Sequence, residues 1–284
     1  MTAAPEPPEV IVRTWLHRVR ISSPDPVMQA ALAYLACEPD VEGPEPSEIQ
    51  IRVVPAGRHW RIVEPGQPDT ETLGAEDTLA FLHGRLFDLS LTDRPGAPIL
   101  HAASLVKNGR RILLVGQKGT GKTTLTLQLA TSGFTLESDE NLFVTGSGVA
   151  ARPRGCRIKE ASLPLLGDLA PVIERAPHIV DYRGARIFNV DPRSLGIRWS
   201  VAEGPAHAVI LLRANHGGLS SLRDIPAMAM VRGLMGEIGL QVGDRTSGPA
   251  RLARLASTTS RFDLSLGNIE GAMRLLEDVV ASLP

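Results

Sequence analysis

Apolar positions recur along this chain with two different periods, and the changes of period divide it into two stretches. Residues 27–36, VMQAALAYLA, follow the Pro24 and Pro26 punctuation and predict a short apolar helix. Residues 38–47, EPDVEGPEPS, read as a loop. The run IQIRVVPAGRHWRIVEPG predicts two strands, 49–54 and 59–63, joined by a Pro-Ala-Gly turn. Leu79, Leu82, Leu86 and Leu89 lie at helical spacing and predict a helix over 76–89. The proline-rich start, residues 1–9, predicts disorder. Together these elements make a small α+β domain, 1–98, with a boundary near 93–98 in TDRPGAP.

The second stretch, 99–284, opens with SLVKNGRRILLVG. Asn108-Gly109 between two apolar runs is a strong hairpin signal, because both turn positions need positive φ. Pairing across that turn sets Val106 opposite Arg111 and Leu105 opposite Ile112, and it brings His101 opposite Gly116. Beyond it, 122–132 predicts a helix closed by Gly133. Residues 134–136 and 141–145 read as strand pieces on either side of Ser138-Asp139-Glu140. The continuous apolar run 208–212 suits a buried strand. Ile269, Met273, Leu276, Val280 and Leu283 mark a C-terminal amphipathic helix, which reads as core packing. The class these elements define is α/β, a mixed sheet with a hairpin strand ahead of a glycine-rich loop.

That loop, GQKGTGKT at 116–123, matches G-x-x-x-x-G-K-[ST] without a gap, after a strand and before an apolar helix. Gly116, Gly119 and Gly121 allow tight turns that point N–H groups at phosphate oxygens. The helix start adds its positive dipole end. Lys122 is placed to reach the β and γ phosphates, and the Thr123 hydroxyl to hold Mg²⁺. Gln117, Thr120 and Thr124 complete the nucleotide-binding set, 116–124. Lys118 either extends the phosphate contacts or is a solvated loop charge.

Phosphoryl transfer to a hydroxyl benefits from a base that takes its proton. Many P-loop enzymes keep an acid at the end of a later apolar strand, but 208–212 runs into Arg213-Ala214-Asn215. The nearest acids are Asp139 and Glu140. A segment returning from the loop helix is expected beside the P-loop strand, so the pair reaches the γ-phosphate, with Asp139 as base and Glu140 as metal or structural ligand. The competing reading makes both turn carboxylates. His101, at the mouth of the P-loop strand, is either a packing histidine or one that bonds phosphate or orients Asp139.

Composition narrows the partners. A formal net charge of −1 gives no strongly basic face for nucleic acid, and 4% aromatic residues give no stacking platform. Cys37 and Cys156 have no metal-ligand spacing, which fits a reducing compartment. With no signal-like start and no apolar window of membrane length, a cytoplasmic protein is expected.

From His101 to Val144 the chain resembles the catalytic domain of HPr kinase/phosphorylase and its relatives. The order LHAASLVKNGRRILLVGQKGTGKTTLTLQLATSGFTLESDE is similar to that family's histidine, strand–turn–strand, P-loop, helix ending in Gly, and strand delivering Asp-Asp. The resemblance implies that Asp139 is the base toward a substrate serine and that Glu140 stands in for the second aspartate. It also implies a homo-oligomer, for which nothing else in the sequence gives a sign. DYRGARIFNV at 181–190 is similar to the signature E-V-R-G-L-G-I-I-N-V through Arg183, Gly184 and Asn189, a segment linked there to the reverse, phosphorolytic reaction. Asp181 and Arg186 depart from it, as does Lys118, which replaces the usual loop serine. These departures look like the divergent relatives that phosphorylate a serine on ribosomal peptides, to which RPRGCRIKEASLPLL at 152–166, with Lys159-Glu160, is also similar. The expectation is an ATP- and Mg²⁺-dependent kinase of a protein or peptide Ser/Thr hydroxyl. A kinase of a small-molecule hydroxyl and a non-catalytic nucleotide-binding regulator are the alternatives.

Overall fold

The computed structural model describes residues 8–239 and 247–284. Of the proline-rich start, 1–7 lie outside the described residues, while Glu9 already belongs to a strand. The first sheet is formed by β1 (Glu9–Arg13), β2 (His17–Ser22), β4 (Ser47–Ala56), β5 (His59–Val63) and β6 (Thr70–Thr72), adjacent in that order. Between β2 and β4 run α1 (Pro26–Leu32), a short 3₁₀ turn (Ala33–Leu35) and β3 (Asp40–Glu42). Asp25 caps α1, its Oδ1 accepting from the amides of Val27 and Met28 at 2.9 and 3.0 Å. The leucines of α2 (Ala75–Asp93) turn inward as their spacing requires: Leu79, Leu82, Leu86 and Leu89 are all buried.

The expected loop over 38–47 contains β3, which pairs in parallel with a strand 160 residues further on, Val41 opposite Val201. Only Val41 of the three β3 residues packs against the core, so no apolar run betrays the strand.

The remaining elements are β7 (Ile99–Lys107), β8 (Arg110–Val115), α3 (Lys122–Thr131), β9 (Thr135–Ser138), β10 (Asn141–Val144), β11 (Val149–Ala151), β12 (Cys156–Lys159), α4 (Ala170–Ile173), β13 (His178–Val180) and β14 (Arg186–Val190). Then come β15 (Ser200–Gly204), β16 (Ala208–Ala214), β17 (Ser221–Asp224), α5 (Ala227–Gly236), α6 (Ser247–Thr258), β18 (Ser260–Leu266) and α7 (Ile269–Ser282). The large sheet has the order β17-β18-β16-β8-β7-β10-β11-β15-β3, with β9 also on β7. β16 runs parallel to both β8 and β18, whereas β7 and β8 are antiparallel, so the sheet is mixed. β12, β14 and β13 form a small third sheet. The protein is a mixed α/β structure.

The hairpin register is the one that Asn108-Gly109 predicts: Val106 faces Arg111 and Leu105 faces Ile112, with φ of 53° and 73° at the two turn residues. The strand after α3 does not lie beside the loop strand β8, however. β8 is flanked by β7 and β16, and β9 and β10 both pair with the far edge of β7. The apolar run of β16, Ala208–Leu212, takes the inner place because both of its faces are covered.

The two stretches of the chain share a core. One continuous apolar cluster contains Val19, Ile21, Met28 and Leu82 as well as Leu105, Leu125, Leu136 and Phe188. The Trp15 indole donates to the Ala151 carbonyl at 2.8 Å, and the Asn189 amide donates to the Ala36 carbonyl at 2.9 Å.

A polar knot ties the sheet at β9. Glu137, 2% exposed, accepts from Arg111 Nε at 2.6 Å, from Arg111 Nη2 at 2.8 Å and from the Ser104 hydroxyl at 2.6 Å. Arg111 also donates from Nη1 and Nη2 to the carbonyls of Pro205 and Ala202, both at 3.1 Å. Removing one partner of such a buried pair strands the other charge, at a cost of about 3–5 kcal/mol. Glu137→Ala is therefore expected to lower the free energy of unfolding in urea by that amount. A loss below about 1 kcal/mol, the range of an exposed pair, would show that the knot does not hold the sheet.

Candidate functional site

The loop between β8 and α3 is shaped by two close approaches. A Cβ on Gly116 would stand 3.0 Å from Leu212 Cβ and 3.1 Å from the Leu212 carbonyl oxygen, so β16 leaves no room for a side chain. Gly121 has φ of 90°, and a Cβ there would stand 2.9 Å from Leu266. The Thr120 hydroxyl donates to the Gln117 carbonyl at 2.9 Å and closes the loop on itself. Gly116 and Thr120 thus build the loop, while Gln117, Lys118, Gly119, Gly121, Lys122, Thr123 and Thr124 line a cavity of about 490 Å³. No side chain caps α3, so its first-turn amides are left to whatever occupies that cavity.

β9 and β10 bring Asp139 and Glu140 to the same cavity. Both strands pair with β7, and the chain bends between them: Asn141 faces His101, Ser138 faces Ser104, and the Ala102 amide donates to the Glu140 carbonyl at 2.8 Å. The acids therefore reach the loop from across β7 and not from a strand beside β8 as expected. Asp139 is 3% exposed, and its Oδ1 is buried without a hydrogen-bond partner. Burial pushes its carboxyl up to about 6; Arg154 and Lys122 oppose that shift, and Glu140 adds to it.

Glu140 behaves oppositely. Burial would raise it, but the hydrogen bond from His101 and the charges of Arg154, His101 and Lys122 hold it well below the usual carboxylate range. Its Oε2 is in an ion pair with Arg154 Nη1. Lys122, 6% exposed, is lowered by burial against the pull of Asp139, Glu140 and Glu237.

His101 faces the cavity from β7, with Nε2 at 3.2 Å from Lys122 Nζ and 3.6 Å from Glu140 Oε1, and Nδ1 at 3.4 Å from Glu237 Oε2. Its polar neighbours are Lys122, Glu140 and Glu237, so an orienting role falls on the lysine and Glu140 and not on Asp139. For a cation, the half-buried Thr123 hydroxyl and the two acids share the cavity. Among the described residues no group of three His, Cys, Asp or Glu gathers as ligands. That donor set fits an ion such as Mg²⁺, which keeps several waters and takes other oxygens from phosphate.

Sequence reasoning did not find Arg154, Arg157, Tyr34, His83 and Glu237. Arg157 and Lys159 alternate with buried Cys156 and Ile158 on β12, a period-two signal readable from CRIK. Tyr34, His83 and Glu237 carry no local signal. The 181–190 segment lies apart from the cavity lining except through Ile187: Arg183 stacks on exposed Tyr182, and Asn189 is buried against Ala36. Glu160 pairs with Arg186 at 2.7 Å.

No family model matches this chain, and no curated protein matches it. Among solved structures, the Hpr(Ser) kinase/phosphatase from Coxiella burnetii is similar over 65% of this chain and 94% of that one, at 17% identity and a TM-score of 0.24. A likeness of that size carries no argument about chemistry here. Among the described residues no helix is long and apolar enough to cross a membrane.

Because the folded carboxyl of Asp139 sits above its ordinary value, ionising it works against folding. The stability present below pH 4 is lost as pH rises through about 6. Asp139→Asn, which cannot ionise, should match the wild type near pH 4 and exceed it at pH 8 by on the order of 3 kcal/mol. Thermal melts across that range check this, and equal melting temperatures at pH 8 would count against the buried charge.

Proposed function

We propose that this chain binds ATP with Mg²⁺ at residues 116–124 and transfers the γ-phosphoryl group to a serine or threonine hydroxyl of a protein or peptide, as a divergent kinase of the HPr kinase type. One observation carries the reading. The buried Asp139, with an unpartnered oxygen, opens into the same cavity as Lys122 and the uncapped start of α3. A structural carboxylate at that depth would be expected to find a donor or a tight ion pair.

In this reading the Asp139 carboxylate takes the proton of the acceptor hydroxyl. The acceptor oxygen bonds to the γ-phosphorus as the bridging oxygen leaves with its electron pair on ADP. Lys122 and the amides of the loop hold the phosphate oxygens, and Lys118 extends the contacts at the loop tip. His101 positions Lys122 from β7. Thr123 and Glu140 would hold Mg²⁺ on the protein side, where the ion would add charge neutralisation. Most of the acceleration comes from positioning and charge, because the loose transition state asks little covalent help.

Transfer of label from γ-labelled ATP, in the presence of lysate from the source, tests the reading. Asp139→Asn should slow transfer by about 10²–10⁴-fold while nucleotide binding persists, and Lys122→Ala should lose both. In the wild type the rate should fall as pH drops through about 6, where Asp139 takes up its proton. Full transfer in Asp139→Asn would remove Asp139 as the base. Label in a small molecule would shift the acceptor class, and binding without transfer from any lysate would favour a regulator.

A further inference from the structure

The cavity holds more positive charge than a nucleotide grip requires on its protein side. Its lining includes Lys118, Lys122, Arg154, Arg157 and Lys159 against Asp139 and Glu140 alone. Lys122 belongs to the loop, and Arg154 is taken by Glu140. Arg157 has no carboxylate partner among the described residues. Its guanidinium lies over the Tyr34 ring at 4.0 Å, and its Nε is buried without a hydrogen-bond acceptor. Arg157 is half-buried, and the part of its guanidinium turned inward, Nε, meets no acceptor, an arrangement that a counter-charge would relieve.

The surroundings of Arg157 point the same way. It sits on β12, with Arg154 just before the strand and Lys159 two residues on along the same face. Across from it stand Tyr34, from the turn after α1, and His83, from α2. Burial and the charges of Arg157, Arg152 and Arg154 push His83 down to about 4. His83 is therefore neutral at physiological pH, able to donate one hydrogen bond without adding charge. His83 lines the same cavity as Asp139 and Glu140, so this wall faces the space an acceptor would occupy in meeting Asp139.

We propose that Arg157, with Tyr34 and His83 from the N-terminal stretch, binds an anionic group, a carboxylate or phosphate, that the phosphoryl acceptor carries close to its hydroxyl. This rests on the phosphotransfer reading and adds to it the charge of the acceptor. Arg157 stacked on Tyr34 keeps a planar fork of donors pre-set for two anionic oxygens. The N-terminal stretch then selects the substrate by completing this wall.

The experiment is a calorimetric titration of inorganic phosphate into Lys122→Ala, in which the loop's own grip on phosphate is weakened. Saturable binding is expected, weaker by about tenfold or more when Arg157→Gln is added. Equal affinity with and without Arg157→Gln, or no saturable binding, overturns the inference. Should Arg157→Gln fail to fold, Arg157→Lys keeps the charge, loses the fork, and carries the same comparison. A separate titration of Arg157→Gln with Mg²⁺ and a non-hydrolysable ATP analogue should give an affinity within about twofold of wild type. A tenfold loss there would assign Arg157 to the nucleotide and overturn the inference. If the analogue fails to bind the wild type while the phosphate result holds, the kinase reading falls and the anion subsite stands. Competition with a serine peptide flanked by glutamates, and with glycerol 3-phosphate, separates a peptide from a small molecule as source of the anion. Displacement by neither would count against an acceptor's anion.

Discussion

Everything in the candidate site hangs on the pairing capacity of β7. Its first edge is filled by β8 through the Asn108-Gly109 hairpin, and its second edge carries two strands in succession, β9 and then β10. The register shifts between Ser104 and Leu105, and the chain bends at Asp139 and Glu140 between the two pairings. The Glu137 carboxylate holds that arrangement by bonding Ser104 on β7 and Arg111 on β8 at once. Were β9 free to slide by one residue, every side chain after it would change face. The knot at Glu137 is thus what aims the acids two and three positions later.

Those acids occupy opposed electrostatic states two atoms of backbone apart. Glu140 is surrounded by Arg154, His101 and Lys122, so it is ionised throughout the physiological range. Asp139 is more deeply buried and bears the like charge of Glu140, so its ionisation is disfavoured. Pairs of carboxyls pushed apart in this way suit division of labour, one fixed as a charge and one able to exchange a proton. Burial of Lys122 adds to the tension, since it weakens the cation that would steady Asp139. Phosphate oxygens entering near Lys122 would favour its charged form and alter the balance on both acids.

What the sequence made legible was local. The hairpin register, the loop, the loop helix ending at Gly133 with φ of 100°, and the inward leucines of α2 follow from turn chemistry and periodicity over a few residues. What escaped was set by pairing between distant segments. β3 is three residues long with one apolar side chain, so its match to Val201 leaves no trace in composition. The placement of β9 on β7 and not beside β8 was decided by β16, whose AVILL core competes for the inner position and wins because both of its faces can be covered. Asp139 and Glu140 were singled out from proximity in sequence to the loop, on the expectation of a strand beside β8, and they arrive instead across β7.

The cationic wall was invisible for the same reason, and its assembly bears on why the N-terminal stretch is there. Tyr34 and His83 precede the loop by some 80 and 30 residues, and Arg157 follows it by more than 30. They meet because the apolar cluster under α1 and α2 is continuous with the one under α3 and β12, through Met28, Leu82, Leu125 and Ile158. A loop that grips phosphates needs only β8, α3 and their neighbours in the large sheet. In the proposed reading, discriminating an acceptor would take a second wall, and the shared core supplies one. Packing that merely completed the fold would have been served by an apolar residue in place of Arg157. A half-buried, stacked guanidinium with a buried Nε and no carboxylate partner among the described residues is better satisfied when something with the opposite charge comes to meet it.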